Sequence, residues 1–135
     1  MAEGILREKA RSGGWMLEVD SAGTGGWHAG ESPDSRARDF MQRNGIDIRG
    51  LRARQIRSAD FYAFDLILAM DSENYTDIMR IRPHDASARV EMVMNLARPG
   101  MNVSVPDPYF GGEEGFAKVY GMLDEALEHI PLKKS

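Results

Sequence analysis

The chain has 135 residues, a net charge of −4, 42% hydrophobic and 28% charged residues, and no cysteine. This length suits one domain over residues 1–135 with a single core, and the composition is typical of a globular protein. An acidic chain offers no basic surface to nucleic acid or anionic membrane, and no apolar run approaches the ~20 residues that span a bilayer. With no signal-peptide pattern at the start, we expect a cytoplasmic protein without nucleic-acid or membrane partners.

The absence of cysteine excludes disulfides, thiolate metal ligands and a cysteine nucleophile from these residues. The three histidines, His28, His84 and His129, show none of the spacings typical of zinc sites. We therefore expect neither a metal nor a cofactor.

Helical and strand patterns alternate along the chain. The first part predicts a helix over 2–11, a strand over 15–22, a glycine-rich loop over 23–34 and a helix that Ser32 caps and Asn44 ends. An irregular segment over 46–55 and a short turn over 58–62 follow. The second part predicts a strand over 64–70, a helix that Asp71 caps and Pro83 ends, a strand over 89–94, and a helix over 112–129. This alternation predicts a parallel α/β sheet with helices on both faces. Three strands are few for such a sheet, and a helix at the start with no strand before it indicates that a first βα unit is missing.

A stiff acidic loop lies between the last two predicted elements. Residues 105–110 (V-P-D-P-Y-F) place Asp107 between two prolines, each of which fixes its own φ and restricts the residue before it. A rigid loop after a strand of an open α/β sheet is the usual ligand-facing position. This stretch alone also fits a plain proline-rich turn with a solvated aspartate.

Several short motifs, taken in order, resemble the low-molecular-weight protein tyrosine phosphatases. They are residues 1–3 (M-A-E), 19–24 (V-D-S-A-G-T), 33–34 (P-D), 53–55 (A-R-Q), 64–65 (F-D), 70–71 (M-D) and 107–109 (D-P-Y). The Trp27-His28 pair is similar to bacterial members. The resemblance covers nearly the whole chain and implies a flavodoxin-like parallel sheet of strand order 2-1-3-4. It also implies hydrolysis of phosphotyrosine in proteins, or of small phosphomonoesters, through a cysteinyl-phosphate.

The resemblance assigns a role to each matching position. Asp107 would be the general acid on the leaving tyrosinate oxygen and then the base for water. The remaining site residues implied are Tyr109 and Phe110 as one wall of the phosphotyrosine crevice, Trp27 and His28 as the opposite wall, and Ser21 as a support behind the phosphate loop.

The chain departs from the family at its nucleophile. In the family, a C-x-x-x-x-x-R-[ST] loop follows the first, central strand, and here there is no cysteine and no arginine at the loop position. Leu51 stands where the family often has a histidine that supports this loop. We therefore predict a domain that is N-terminally incomplete, lacks the central strand and is inactive as written. Its sheet would close the gap or recruit a strand from another copy in a homo-oligomer.

Two other hypotheses remain open from the sequence. One is a non-catalytic pseudophosphatase that binds a protein partner, although the phosphate cradle needed for phosphotyrosine is absent. The other is an arsenate reductase relative, which shares the fold but uses several cysteines, and this chain has none.

Overall fold

The computed structural model describes residues 1–24, 30–32, 34–108 and 111–131. Its helices and strands are α1 (Ala2–Gly13), α2 (Ser35–Arg43), α3 (Asp60–Ala63), β1 (Leu66–Ala69), α4 (Ser72–Ile81), β2 (Arg89–Met92), a 3-10 helix (Val93–Leu96) and α5 (Gly112–Leu127). None of the described helices has the length and apolarity to cross a membrane.

The sheet is a parallel pair of strands. β1 and β2 are in register from Leu66 opposite Arg89 to Ala69 opposite Met92, and α4 makes the crossover between them. Within the described residues each strand has one strand neighbour, so both are edge strands.

Helices cover both faces of this sheet, as the sequence predicts. Leu68 and Met70 pack against the larger core cluster, to which α1, α2 and α5 contribute buried side chains. Ala69 belongs to the smaller cluster, where Phe61 of α3 and Ile78 of α4 are buried. Because neighbouring strand residues point to opposite faces, β1 separates the two clusters.

The predicted strand over 15–22 is wrong. The described residues there form no strand, and the nearest ladder contact is one isolated parallel bridge between Gly23 and Gln55. Leu17 and Val19 still pack against the larger cluster, and Glu18 and Asp20 are exposed. The alternation therefore describes which side chains point inward, but a strand also needs a hydrogen-bonding neighbour.

Other boundaries also differ from the predictions. The predicted strands over 64–70 and 89–94 are shorter, and after Met92 the chain turns into the 3-10 helix. Asp34, not Ser32, caps α2, because its carboxylate accepts a 2.9 Å hydrogen bond from the Arg36 N–H. The cap on α4 is confirmed, since Asp71 accepts a 2.7 Å bond from the Asn74 N–H.

Candidate active site

The loop that carries Asp107 is anchored where β1 ends. The Val105 N–H donates a 2.8 Å hydrogen bond to the Met70 carbonyl, directly after β1. The Ser72 N–H, at the start of α4, donates to the Ser104 hydroxyl at 3.2 Å. These two bonds place the loop at the carboxyl end of the strand, the usual ligand-facing edge of a parallel sheet. Asp107 is exposed there.

Hydrogen bonds made by Asn95 connect β2 to the start of this loop. The Asn95 side-chain amide donates a 2.9 Å hydrogen bond to the side-chain oxygen of Asn102, whose φ of 52° is left-handed. The Asn102 backbone N–H donates in return to the Asn95 side-chain oxygen at 2.8 Å. Asn95 also donates to Glu91 at 2.7 Å. The hydrogen bond from Asn95 is the main reason that the pKa of Glu91 is lowered, against the opposing effect of burial. The chain therefore leaves β2 for the loop along a fixed path.

Ser21 faces the first turn of α1. Its hydroxyl donates to the Glu3 carboxylate at 2.5 Å, and Arg7 donates to the other Glu3 oxygen at 2.7 Å. Arg7 also donates to the Val19 carbonyl at 2.5 Å. Glu3 is only 7% exposed, so its charge is stabilised by these two donors. The sequence does not predict Glu3 as a neighbour of the site, because a glutamate in a first helical turn ordinarily indicates only a favourable dipole interaction.

Arg54 ties the segment before the glycine-rich loop to α3. It donates to both oxygens of Asp60, at 2.9 and 3.0 Å, and to Asp20 at 3.1 Å. Burial acts to raise the pKa of Asp60, but the bonds from Arg54 and the Arg57 N–H outweigh it, and the pKa is lowered. Arg54 therefore has a structural role, as the link between two carboxylates of different segments. A sequence signal for this bridge is absent, since its partners are six and thirty-four residues away.

The two predicted crevice walls, Trp27 with His28 and Tyr109 with Phe110, lie outside the described residues. Among the residues that are described, no group of three or more histidine, aspartate and glutamate side chains is arranged to hold a metal ion.

The fold and the site together define a class: an α/β protein whose acidic loop lies at the carboxyl end of a parallel strand. The family of low molecular weight phosphotyrosine protein phosphatases matches the chain over residues 1–134. The chain belongs to this family. Its fold is accordingly the flavodoxin-like parallel sheet, of which the described residues form two strands and not the family's first, central strand.

Individual relatives agree with this assignment. The low molecular weight phosphotyrosine protein phosphatase of Schizosaccharomyces pombe is 40% identical over 126 residues, covering 91% of this chain and 80% of the relative. The structure of YfkJ from Bacillus subtilis superimposes with a TM-score of 0.84 at 32% identity, covering 95% of this chain and 80% of that one. A protein tyrosine phosphatase structure from Entamoeba histolytica gives a TM-score of 0.85 at 32% identity, covering 95% and 83%.

Proposed function

We propose that Asp107 is the general acid, and then the general base, of a phosphomonoester hydrolase site for phosphotyrosine. The observation that carries the proposal is the Val105–Met70 hydrogen bond, which fixes the loop at the carboxyl end of β1. A carboxyl group on a stiff loop can protonate a phenolate as it leaves and then take a proton from water. In this proposal Trp27, His28, Tyr109 and Phe110 form the walls around the phenyl ring, and Ser21 supports the phosphate-binding side.

The second part of the proposal concerns the missing nucleophile. The family reaction forms a bond between a cysteine sulfur and phosphorus, and these 135 residues contain no cysteine. General acid catalysis by Asp107 contributes about 10²–10⁴-fold, but here it has no phosphorylated intermediate to act on. The chain as written therefore does not turn over phosphotyrosine.

The third part concerns the sheet. The domain is completed by a further strand beside β1, which in the family leads into the phosphate loop. Two features support this: β1 is paired on one side only among the described residues, and Leu66, Ile67 and Leu68 are only half-buried. A strand this apolar is ordinarily buried on both faces. The strand comes from an N-terminal segment of the same protein, and a strand lent by another copy is the competing source.

Extension of the chain tests all three parts. One protein is the 135-residue chain, and the other carries an added V-x-x-V-C-x-x-x-x-x-R-S segment in front of Met1. Turnover of para-nitrophenyl phosphate and a phosphotyrosine peptide is expected from the extended protein alone, and a serine in place of the added cysteine should abolish it. In the extended protein, Asp107→Asn should lower kcat by about 10²–10⁴-fold. Asp77→Asn, at a half-buried aspartate of α4 away from the loop, is the matched control.

Each part can fail separately. Turnover by the 135-residue chain that Asp107→Asn reduces would refute its inactivity. An extended enzyme that is indifferent to Asp107→Asn would refute the acid role. Light scattering on the 135-residue chain addresses the source of the strand, since a stable dimer favours a second copy and a monomer favours the N-terminal segment. Binding of the phosphotyrosine peptide by the unextended chain, lost in Asp107→Ala or Trp27→Ala, would instead favour the pseudophosphatase.

A further inference from the structure

The backbone of the acidic loop lies directly on helix α5 at Gly115. A Cβ atom added to Gly115 would lie 2.5 Å from the Pro108 carbonyl oxygen and 3.4 Å from its carbonyl carbon. Both atoms belong to the backbone, so no side-chain rotation relieves the overlap. Gly115 is the fourth residue of α5, where glycine costs helix stability relative to alanine. Glycine at this position therefore lowers helix propensity but allows the Pro108 carbonyl to lie close to the α5 backbone.

Two further glycines shape the return of the chain from the loop to the helix. Gly112 has a φ of +57°, a conformation that glycine adopts without strain. Gly111 accepts a 3.1 Å hydrogen bond from the Gly115 N–H, and a Cβ on Gly111 would lie 2.9 Å from the Gly115 Cα. The first turn of α5 thus makes contact with the loop through backbone atoms alone at these positions.

The start of α5 is itself fixed against α2. The Phe116 ring stacks on Phe40 with ring centroids 5.7 Å apart, and Arg43 forms an ion pair with Glu113. The Arg43 guanidinium also lies 5.8 Å from the centre of the Phe40 ring. Because these contacts pack the first turn of α5 against α2, the helix cannot easily shift to make room for a group added at Gly115.

We propose that Gly115 is a positioning residue for Asp107: the missing side chain sets how closely the Asp107–Pro108 peptide lies on α5. This inference rests on the proposed role of Asp107. Ordinary contact begins at 3.4 Å, so a methyl group at Gly115 displaces the Pro108 carbonyl by 0.9 Å, the difference between 3.4 and 2.5 Å. The prolines on both sides of Asp107 leave it few ways to absorb the movement, and a displacement of about 1 Å can cost a positioned catalytic group 10²-fold in rate.

Gly115→Ala in the 135-residue chain tests the proposal, with Gly121→Ala as the matched control. Gly121 lies in the same helix, is exposed, and a Cβ there meets no atom within 4 Å. Helix propensity alone should lower the unfolding equilibrium constant of Gly121→Ala by about fourfold. Gly115→Ala should instead raise the unfolding equilibrium constant, so that it is about tenfold or more above that of Gly121→Ala. In NMR spectra the Asp107 amide and carboxyl-carbon signals should shift in Gly115→Ala and stay in place in Gly121→Ala.

The two readouts separate positioning from plain packing. A less stable Gly115→Ala protein whose Asp107 signals are unchanged would overturn the proposal, and so would equal stability of the two variants. If Gly115→Ala does not fold, Gly111→Ala replaces it, because a Cβ at Gly111 would press on the Gly115 Cα from 2.9 Å. Unmoved Asp107 signals in that variant would overturn the proposal too. None of these readouts needs turnover, whereas the acid role of Asp107 is decided by kcat in the extended enzyme, so either idea can fail alone.

Discussion

Two segments of this protein have the same alternating pattern and different structures. In residues 15–22 the core contacts come from Trp15, Leu17 and Val19, and in residues 89–92 the inward apolar side chains are Val90 and Met92. Only the second segment is a strand, because β1 lies beside it and supplies a parallel ladder. The first has no strand neighbour among the described residues, so its inward side chains pack while its backbone stays outside a sheet.

The first segment is held by side chains in place of a ladder. Arg7 binds the Val19 carbonyl, Glu3 binds Ser21, and Arg54 binds Asp20. Each of these bonds is made by a charged group of another segment. A hydrogen bond to a charged group contributes about 1.5–3 kcal/mol, compared with about 1 kcal/mol for a neutral one. Packing and backbone pairing are therefore separate requirements, and bonds to charged groups can hold a strand-like segment in place.

The largest expected effect lies on the paired side. Phe61 is fully buried in the smaller cluster, and its carbonyl accepts the Ala88 N–H at 3.3 Å just before β2. Phe61→Ala should destabilise the protein by about 3–5 kcal/mol, since it opens a cavity under the sheet. Urea unfolding followed by circular dichroism measures this. Tyr62→Ala, the exposed neighbour in α3, is the control, and an equal loss in both variants would mean that this cluster does not support the sheet.

An intermediate effect is expected at the bond that joins the two regions. Asp60→Asn leaves the Arg54 guanidinium with a neutral partner in a half-buried position, and we expect a loss of about 2–3 kcal/mol at neutral pH. Guanidinium chloride unfolding of both proteins measures the difference.

The same pair predicts a pH dependence. The folded pKa of Asp60 is lowered from 3.8, so its stabilisation is complete above that value and is lost as the pH falls through the folded pKa. The stability difference between wild type and Asp60→Asn should therefore shrink on acidification below about pH 4. A difference that is constant or grows in this range would contradict the assigned ion pair.

A smaller effect is expected in the segment without a ladder. Glu3→Gln preserves the shape of the side chain but removes the charge that binds Arg7 and Ser21, and should cost about 1–2 kcal/mol. Glu8→Gln changes a glutamate of the same helix, which binds the exposed Arg11 and, in the described part of the chain, makes no hydrogen bond to residues 15–22. It serves as the control, with a much smaller change expected. Thermal unfolding compares the two. Equal melting temperatures would show that Glu3 does not hold residues 15–22.

The smallest expected effect is a difference in amide hydrogen exchange between the two segments, measured on the unmodified chain. Native-state hydrogen exchange should show slow amides in the β1–β2 ladder, opening only with global unfolding, and fast amides at exposed Glu18 and Asp20. Binding of the missing strand in the extended protein should slow the second set. Slow exchange at both positions in the 135-residue chain would indicate a partner strand already in place, and would contradict the open edge.

The sequence predicts those features that depend on a few neighbouring residues. The cap at Asp71, the helix α5 and the loop around Asp107 follow from side-chain type, helical period and proline geometry. Bridges such as Arg54 to Asp20 could not be predicted, because only the folded chain brings residues thirty-four positions apart into contact.

The sequence by itself determined the family, the inward face of each segment, the acidic loop and the lack of a thiol. These depend on residue identity and short spacing, which a linear chain already contains. The tertiary structure decided which alternating segment became a strand, which carboxylates were buried in ion pairs, and how closely Pro108 lies on Gly115. Those outcomes depend on which surfaces meet, because ladders, buried charges and backbone contacts each need a second segment at a fixed distance.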